Sequence, residues 1–150
     1  MWHEGKNPDF RQRVQENFNR QPALASIRAE LTRIEQGLVE LEMPFSEKLT
    51  QQHGWLHAGA ISAGLDGACA LAAHTLIEPD VFALTIEFKI NLLSPGRGER
   101  FLFHGEITKP GSTIIVADGR AYALTDGPAK LIASMTSTLM IVRGREDMQG

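Results

Sequence analysis

The sequence predicts an α+β fold in which an antiparallel sheet of about six strands wraps round one long buried helix. Two observations carry the prediction. Residues 51–77 hold a single acid, Asp66, no Lys or Arg, and mostly small or apolar side chains, so the stretch reads as a helix buried on most sides. After it come four strand-like segments joined by short turns. Strands grouped in this way, instead of alternating with helices, make an antiparallel sheet. The open edges of such a sheet favour pairing with a second copy.

Taken in order, residues 8–20 read as a short helix. Pro8 suits a first turn, Asp9 the positive end of the dipole, and Phe10, Val14 and Phe18 recur at i, i+4 and i+8. The Gln21-Pro22 step should end it, because the residue before a proline is pushed out of the α region. Strands are expected at 27–34 and 38–43, linked as a hairpin through Glu35-Gln36-Gly37. Residues 49–56 form a loop broken by Gly54. The buried helix follows, with Ile61, Leu65, Cys69, Ala72 and Leu76 as its apolar stripe. Pro79-Asp80 turns the chain. From 81 to 93 the period is two: Phe82, Leu84, Ile86, Phe88, Ile90 and Leu92 take one face, and Thr85, Glu87, Lys89 and Asn91 the other. Strands at 99–108 and 112–124 flank the turn Lys109-Pro110-Gly111. Thr125-Asp126-Gly127-Pro128 makes another turn, 130–142 is the last strand, and a polar tail ends the chain.

The 150 residues are expected to form one domain, 1–150, with its core at 24–142. A net charge of −3 gives no footprint for nucleic acid. One cysteine suits a reducing cytosol, and the start MWHEGKNPDF lacks the apolar segment of a secretory signal, so a cytoplasmic location is expected. A membrane span through the buried stretch is disfavoured by its Gly and Ala content and by Asp66, which would cost about 2.5–3.5 kcal/mol at a span's centre. His53 and His57 have a helical metal-ligand spacing, but Gly54 and the loop around them spoil it, so no metal or cofactor is expected.

Two features could carry chemistry. Asp66 is a carboxylate without a cation in an apolar neighbourhood, the setting in which an acid serves as base or nucleophile. His57-Ala58-Gly59 stands where loop becomes helix, and backbone N–H groups at a helix N-terminus can hold a developing oxyanion. The rise of a helix puts the two roughly 10–13 Å apart, too far to act on one carbon. If both act on one substrate, the second must come from another copy whose helix runs antiparallel, which makes a dimer with two shared sites.

The run Gln51-Gln52-His53-Gly54-Trp55-Leu56-His57-Ala58-Gly59-Ala60, followed by Leu65-Asp66-Gly67-Ala68, resembles the signature of the hotdog-fold acyl-CoA thioesterases of the phenylacetate-degradation (PaaI-like) type. That signature has an Asn or Gln, a Gly three residues on, then His-Gly-Gly, and an Asp nine residues after the His. The resemblance implies a hotdog fold and hydrolysis of an acyl-CoA, coenzyme A being part of the substrate, by a homodimer or homotetramer. It implies Asp66 as base or nucleophile, and the Ala58 amide as the group polarising the carbonyl. His57 would orient the loop, Gln51 would position water or leaving group in place of Asn, and Thr85 would stand where some members carry a water-orienting Ser. Gly59, Trp55, Leu56 and Ile61 would border the substrate, and Arg97 and Lys109 are candidates for the coenzyme A phosphates. Ala58 departs from the first Gly of His-Gly-Gly, which crowds close approach but keeps the amide. By the alternation above, Thr85 falls on the polar face of its strand. A hydratase or dehydratase of the same fold, or a non-catalytic acyl-CoA sensor, are the rival readings, and thiol release separates both from a thioesterase.

Overall fold

The computed structural model describes residues 4–148 and has the expected α+β class. Two helices come first, α1 (Phe10–Asn19) and α2 (Pro22–Ser26), then the hairpin β1 (Glu30–Glu35) and β2 (Leu38–Pro44). A single 3-10 turn, Glu47–Leu49, leads to the long helix α3 (Ala58–His74). β3 (Phe82–Leu92), β4 (Arg100–Pro110), β5 (Ile114–Leu124) and β6 (Lys130–Val142) complete one antiparallel sheet ordered β1-β2-β4-β5-β6-β3. Strands β1 and β3 are therefore its edges. Among the described residues no helix is long and apolar enough to cross a membrane.

Period-two burial explains why the sheet wraps α3. Val39, Leu41 and Met43 of β2, Phe101, Phe103 and Ile107 of β4, and Ile115, Ala117 and Ala121 of β5 are buried together with Leu65, Ala68, Cys69 and Ala72 of the helix. Two glycines set how closely the layers meet. Gly105 and Gly119 are cross-strand partners beneath α3, and a Cβ on Gly105 would lie 2.5 Å from the carbonyl carbon of Ala68. On the helix side, a Cβ on Gly64 would lie 2.4 Å from the Phe103 ring. Cys69 sits in this layer, where burial pushes its thiol up to about 12, so it packs as an inert apolar side chain.

Two expectations need correction. The strand expected at 27–34 starts only at Glu30. Pro22 ends α1 as expected but also opens α2, because a proline at a first helical position gives up an N–H that would be unpaired anyway. Arg28, in the left-handed region at φ 58°, then turns the chain into β1.

The second correction concerns β3. Thr85 pairs with Leu139 and Glu87 with Thr138, so Ile86 is an extra residue, a bulge. One inserted residue reverses which side chains share a face. Before it, Ala83 and Thr85 lie on the helix side with Ile141 and Leu139; after it, Phe88, Ile90 and Leu92 take that side with Ser137, Met135 and Ala133. The apolar run 82–92 is therefore not one face. Much of it is also uncovered: Leu84, Ile86, Phe88 and Leu92 are between 42% and 55% exposed along the open edge.

Candidate functional site

His57 is the N-cap of α3. Its backbone is extended and its ring Nδ1 accepts the Gly59 N–H at 2.8 Å. Ala60 and Ile61 donate to the His57 carbonyl. Among the described residues, the Ala58 amide is left without an acceptor and points from the positive end of a 17-residue helix. The loop before it is tied down on both sides. His57 donates its backbone N–H to Leu49, Leu56 donates to Gly96, and Gly54 turns at φ 82° to reach the Gln51 carbonyl. The Gln51 side-chain oxygen accepts from the His53 and Trp55 amides, which leaves its NH2 group over.

Gln51, Trp55, Leu56, Ala58 and Ile61 border one cavity of about 360 Å³, closed on the other side by the end of β3 and Ser94-Pro95-Gly96. The Arg97 guanidinium stacks 4.7 Å over the Trp55 ring nearby. Other expected residues lie elsewhere. His57 and Gly59 line a separate groove with Ala23, Lys48 and Leu49, and the Gly59 amide is already taken by His57. Lys109 stands near the far end of β4, two residues after Ile107, whose amide reaches Gly37, and Gly37 in turn bonds Thr75 beyond the C-terminus of α3. The chain does not bring Lys109 to the Ala58 cavity.

Asp66 occupies a second cavity, of about 340 Å³. It is half-buried, and its one hydrogen bond among the described residues is from the Thr85 hydroxyl at 2.7 Å. No Lys or Arg pairs with it there. The bulge makes this contact: without Ile86, Thr85 and the apolar residues after it could not share the helix side of β3. Ala70 and His74 continue the same helix face, and Ala83 and Leu84 oppose them. Asn17 and Gln21 flank the cavity from α1 and the segment after it, joined by a 2.6 Å hydrogen bond from Gln21 Nε2 to Asn17 Oδ1.

His74 holds β3 in place. It is 5% exposed, with Nδ1 2.8 Å from the Ala70 carbonyl and Nε2 accepting the Ala83 N–H at 3.3 Å, so the ring is the neutral Nδ1–H tautomer. Burial lowers its pKa from 6.5 to about 4; the Ala70 bond opposes the shift and the Arg13 charge adds to it. Arg13 itself donates to the carbonyls of Glu78 and Val81 and lies 5.7 Å over the Phe82 ring, clamping α1 on the turn into β3. Burial lowers its pKa as well, against the raising charge of Asp80. The sequence alone makes His74 a solvated or structural residue and does not reveal this tie. Its spacing of eight from Asp66, two turns along one helix face, was the available signal.

From Ala58 to Asp66 the helix advances about 12 Å. One copy thus holds an oxyanion-binding amide and an uncompensated carboxylate in separate cavities, on one rod, too far apart to meet.

Residues 53–130 match the family model of the thioesterase superfamily, just over half the chain. A thioesterase family protein from Silicibacter pomeroyi has a crystal structure 49% identical, with a TM-score of 0.88 over 90% of this chain and 99% of that one. A Saccharolobus solfataricus protein provisionally assigned as an esterase is 31% identical over 130 residues, 87% of this chain and 84% of its own. The Escherichia coli medium/long-chain acyl-CoA thioesterase YigI is 31% identical over 57% of this chain and 62% of its own length. The hotdog fold and the helix that carries Asp66 thus come with a family: the chain belongs to the thioesterase superfamily and is a thioester hydrolase.

Proposed function

We propose that this protein hydrolyses an acyl-CoA to the free acid and coenzyme A at sites shared between two copies. In each site the Ala58 amide of one copy polarises the thioester carbonyl and Asp66 of the other delivers the nucleophile. In one route water, giving its proton to Asp66, attacks the carbonyl carbon, the C–S bond breaks and that proton passes to the leaving sulfur. In the other the Asp66 oxygen attacks and the C–S bond breaks to release the thiolate. Water then cleaves the acyl-aspartyl anhydride to free acid and Asp66, while its remaining proton goes to the thiolate. Thr85 holds the carboxylate in position, and in this reading the NH2 of Gln51, which lines the same cavity as Ala58, donates to the carbonyl oxygen. His57 acts on the loop through its cap to Gly59. Trp55, Leu56 and Ile61 border the bound thioester, and Arg97 beside Trp55 is the cation best placed for a coenzyme A phosphate.

One observation carries the reading: Asp66 is half-buried, lines a cavity, and among the described residues has a hydroxyl, and no cation, as its side-chain partner. The second copy is supported by the 12 Å helical separation and by the open, apolar edge of β3. YigI is named for medium- and long-chain acyl-CoAs, which makes alkanoyl-CoAs the first substrates to assay.

Subunit complementation tests the shared site. Asp66→Asn alone should lower kcat about 10²–10⁴-fold. Ala58→Pro removes the amide proton at a position where a helix tolerates proline, after a residue already extended at ψ 140°. Mixed dimers of the two variants would contain one intact site and one doubly damaged site. Coexpression should restore about a quarter of wild-type thiol release, since half the dimers are mixed and each has one working site. No recovery, with mixed dimers verified, would overturn the shared site. Wild-type turnover by Asp66→Asn would overturn its chemistry.

A further inference from the structure

The Asp66 cavity draws its lining from four segments. α3 supplies Asp66, Ala70 and His74, and β3 supplies Phe82 to Thr85. Residues 13–24 run alongside α3, from Arg13 at the Glu78 and Val81 carbonyls to Leu24 against Gly67, so Asn17 and Gln21 flank the cavity. The fourth contribution is Met148, from the segment that follows β6. That segment lies outside the residues that match the family model.

The sequence makes the end of the chain a polar tail, yet the tail returns to β3. β6 stops at Val142, paired with Phe82 at the start of β3. Arg143 then reaches Glu78 at 3.3 Å, and Gly144 turns the chain at φ 68°, a conformation glycine adopts without steric cost. Arg145 and Asp147 bond to each other within the tail. Residues 143–147 are all exposed, whereas Met148 is half-buried. Removal of this one large apolar side chain from water favours the place where the tail settles, and that place includes the cavity holding the acid.

Charge decides which end of the substrate enters here. Coenzyme A carries phosphates, and Arg97 stands over Trp55, which lines the Ala58 cavity. Among the described residues no Lys or Arg lines the Asp66 cavity. The acyl group is therefore the end that suits it.

We propose that the acyl group lies in the Asp66 cavity and that Met148 limits its width, narrowing the cavity against ring-bearing acyl groups while straight alkanoyl chains pass. The inference rests on the reading of Asp66 as the catalytic acid. A methionine suits such a wall, because its unbranched thioether repacks around a slim chain. It still leaves a ring less room than an alanine would.

The test compares kcat/KM for phenylacetyl-CoA and octanoyl-CoA in the thiol-release assay. Met148→Ala should raise the phenylacetyl-to-octanoyl ratio at least about tenfold over wild type, and Met148→Trp should lower it by a similar factor. Met148→Leu, of nearly the same volume, should keep the wild-type ratio. A ratio that stays at the wild-type value in both the alanine and tryptophan variants, or moves the same way in both, overturns the inference and leaves the thioesterase reading intact. Absence of thiol release from both substrates would instead strike at that reading. Calorimetric titration of Asp66→Asn, with and without Met148→Ala, then decides the wall independently of turnover. Tighter binding of phenylacetyl-CoA relative to octanoyl-CoA in the double variant supports it, and an unchanged ratio of the two affinities overturns it.

Discussion

His74 makes a quantitative prediction about acid stability. Both of its nitrogens are satisfied only in the neutral ring, and a proton on Nε2 would face the Ala83 N–H it now accepts, near the Arg13 charge. Its folded pKa, about 4, is below the ordinary 6.5. A depressed histidine pKa means that the unfolded chain binds the proton first. The stabilisation is therefore complete above 6.5, shrinks as pH falls, and is gone below about 4. At about 1.36 kcal/mol for each pH unit between those values, the loss approaches about 3 kcal/mol. Carboxylates lose stability in acid too, so the comparison needs His74→Gln, which offers one donor and one acceptor without titrating. Urea unfolding of both proteins at pH 7 and pH 4, at one fixed concentration, should show the wild type losing about 2–3 kcal/mol more than the variant. Parallel losses would refute the reasoning. So would a wild type that is no more acid-sensitive than the variant.

Three further outcomes follow from particular contacts. Thr85→Val keeps the shape but removes the hydroxyl from Asp66, and kcat/KM in the thiol-release assay should fall about tenfold with the melting temperature little changed. Gly105→Ala drives a methyl against the Ala68 backbone, which cannot swing aside as a side chain would, so unfolding should come at least about 1–3 kcal/mol sooner in denaturant. Phe88→Asp charges the apolar open edge; if the proposed dimer forms there, sedimentation should show a shift toward monomer with hydrolysis lost in parallel.

Long, strongly periodic segments were legible in the sequence. The last strand occupies 130–142 as read, and the buried helix announced itself by the absence of every charge but one. Residues 22–29 were not legible, because Ala, Leu and Ile in so short a window suit helix and strand alike, and the left-handed Arg28 carries no side-chain signature of its turn. Asp66 stood out by composition, and the Ala58 amide by its place at the helix start. The Thr85 contact was hidden, since alternation assigned it to the polar face and the extra residue Ile86 is itself apolar. Nothing in the spacing showed that the His57 ring would turn to cap Gly59, or that Asn17 and Gln21 would flank the Asp66 cavity. Those depend on how α1 docks, which local pattern does not encode.

The slip at Ile86 lets a single ribbon answer to two separate demands. Upstream of it Thr85 is in phase with the acid; downstream Phe88, Ile90 and Leu92 come round to that same side. Each half can drift without disturbing the other, provided the count of residues between them stays odd by one. A relative that lacks this one position would have to turn its hydroxyl outward or reverse its outer surface, so a one-residue gap here in an alignment marks altered chemistry or altered assembly.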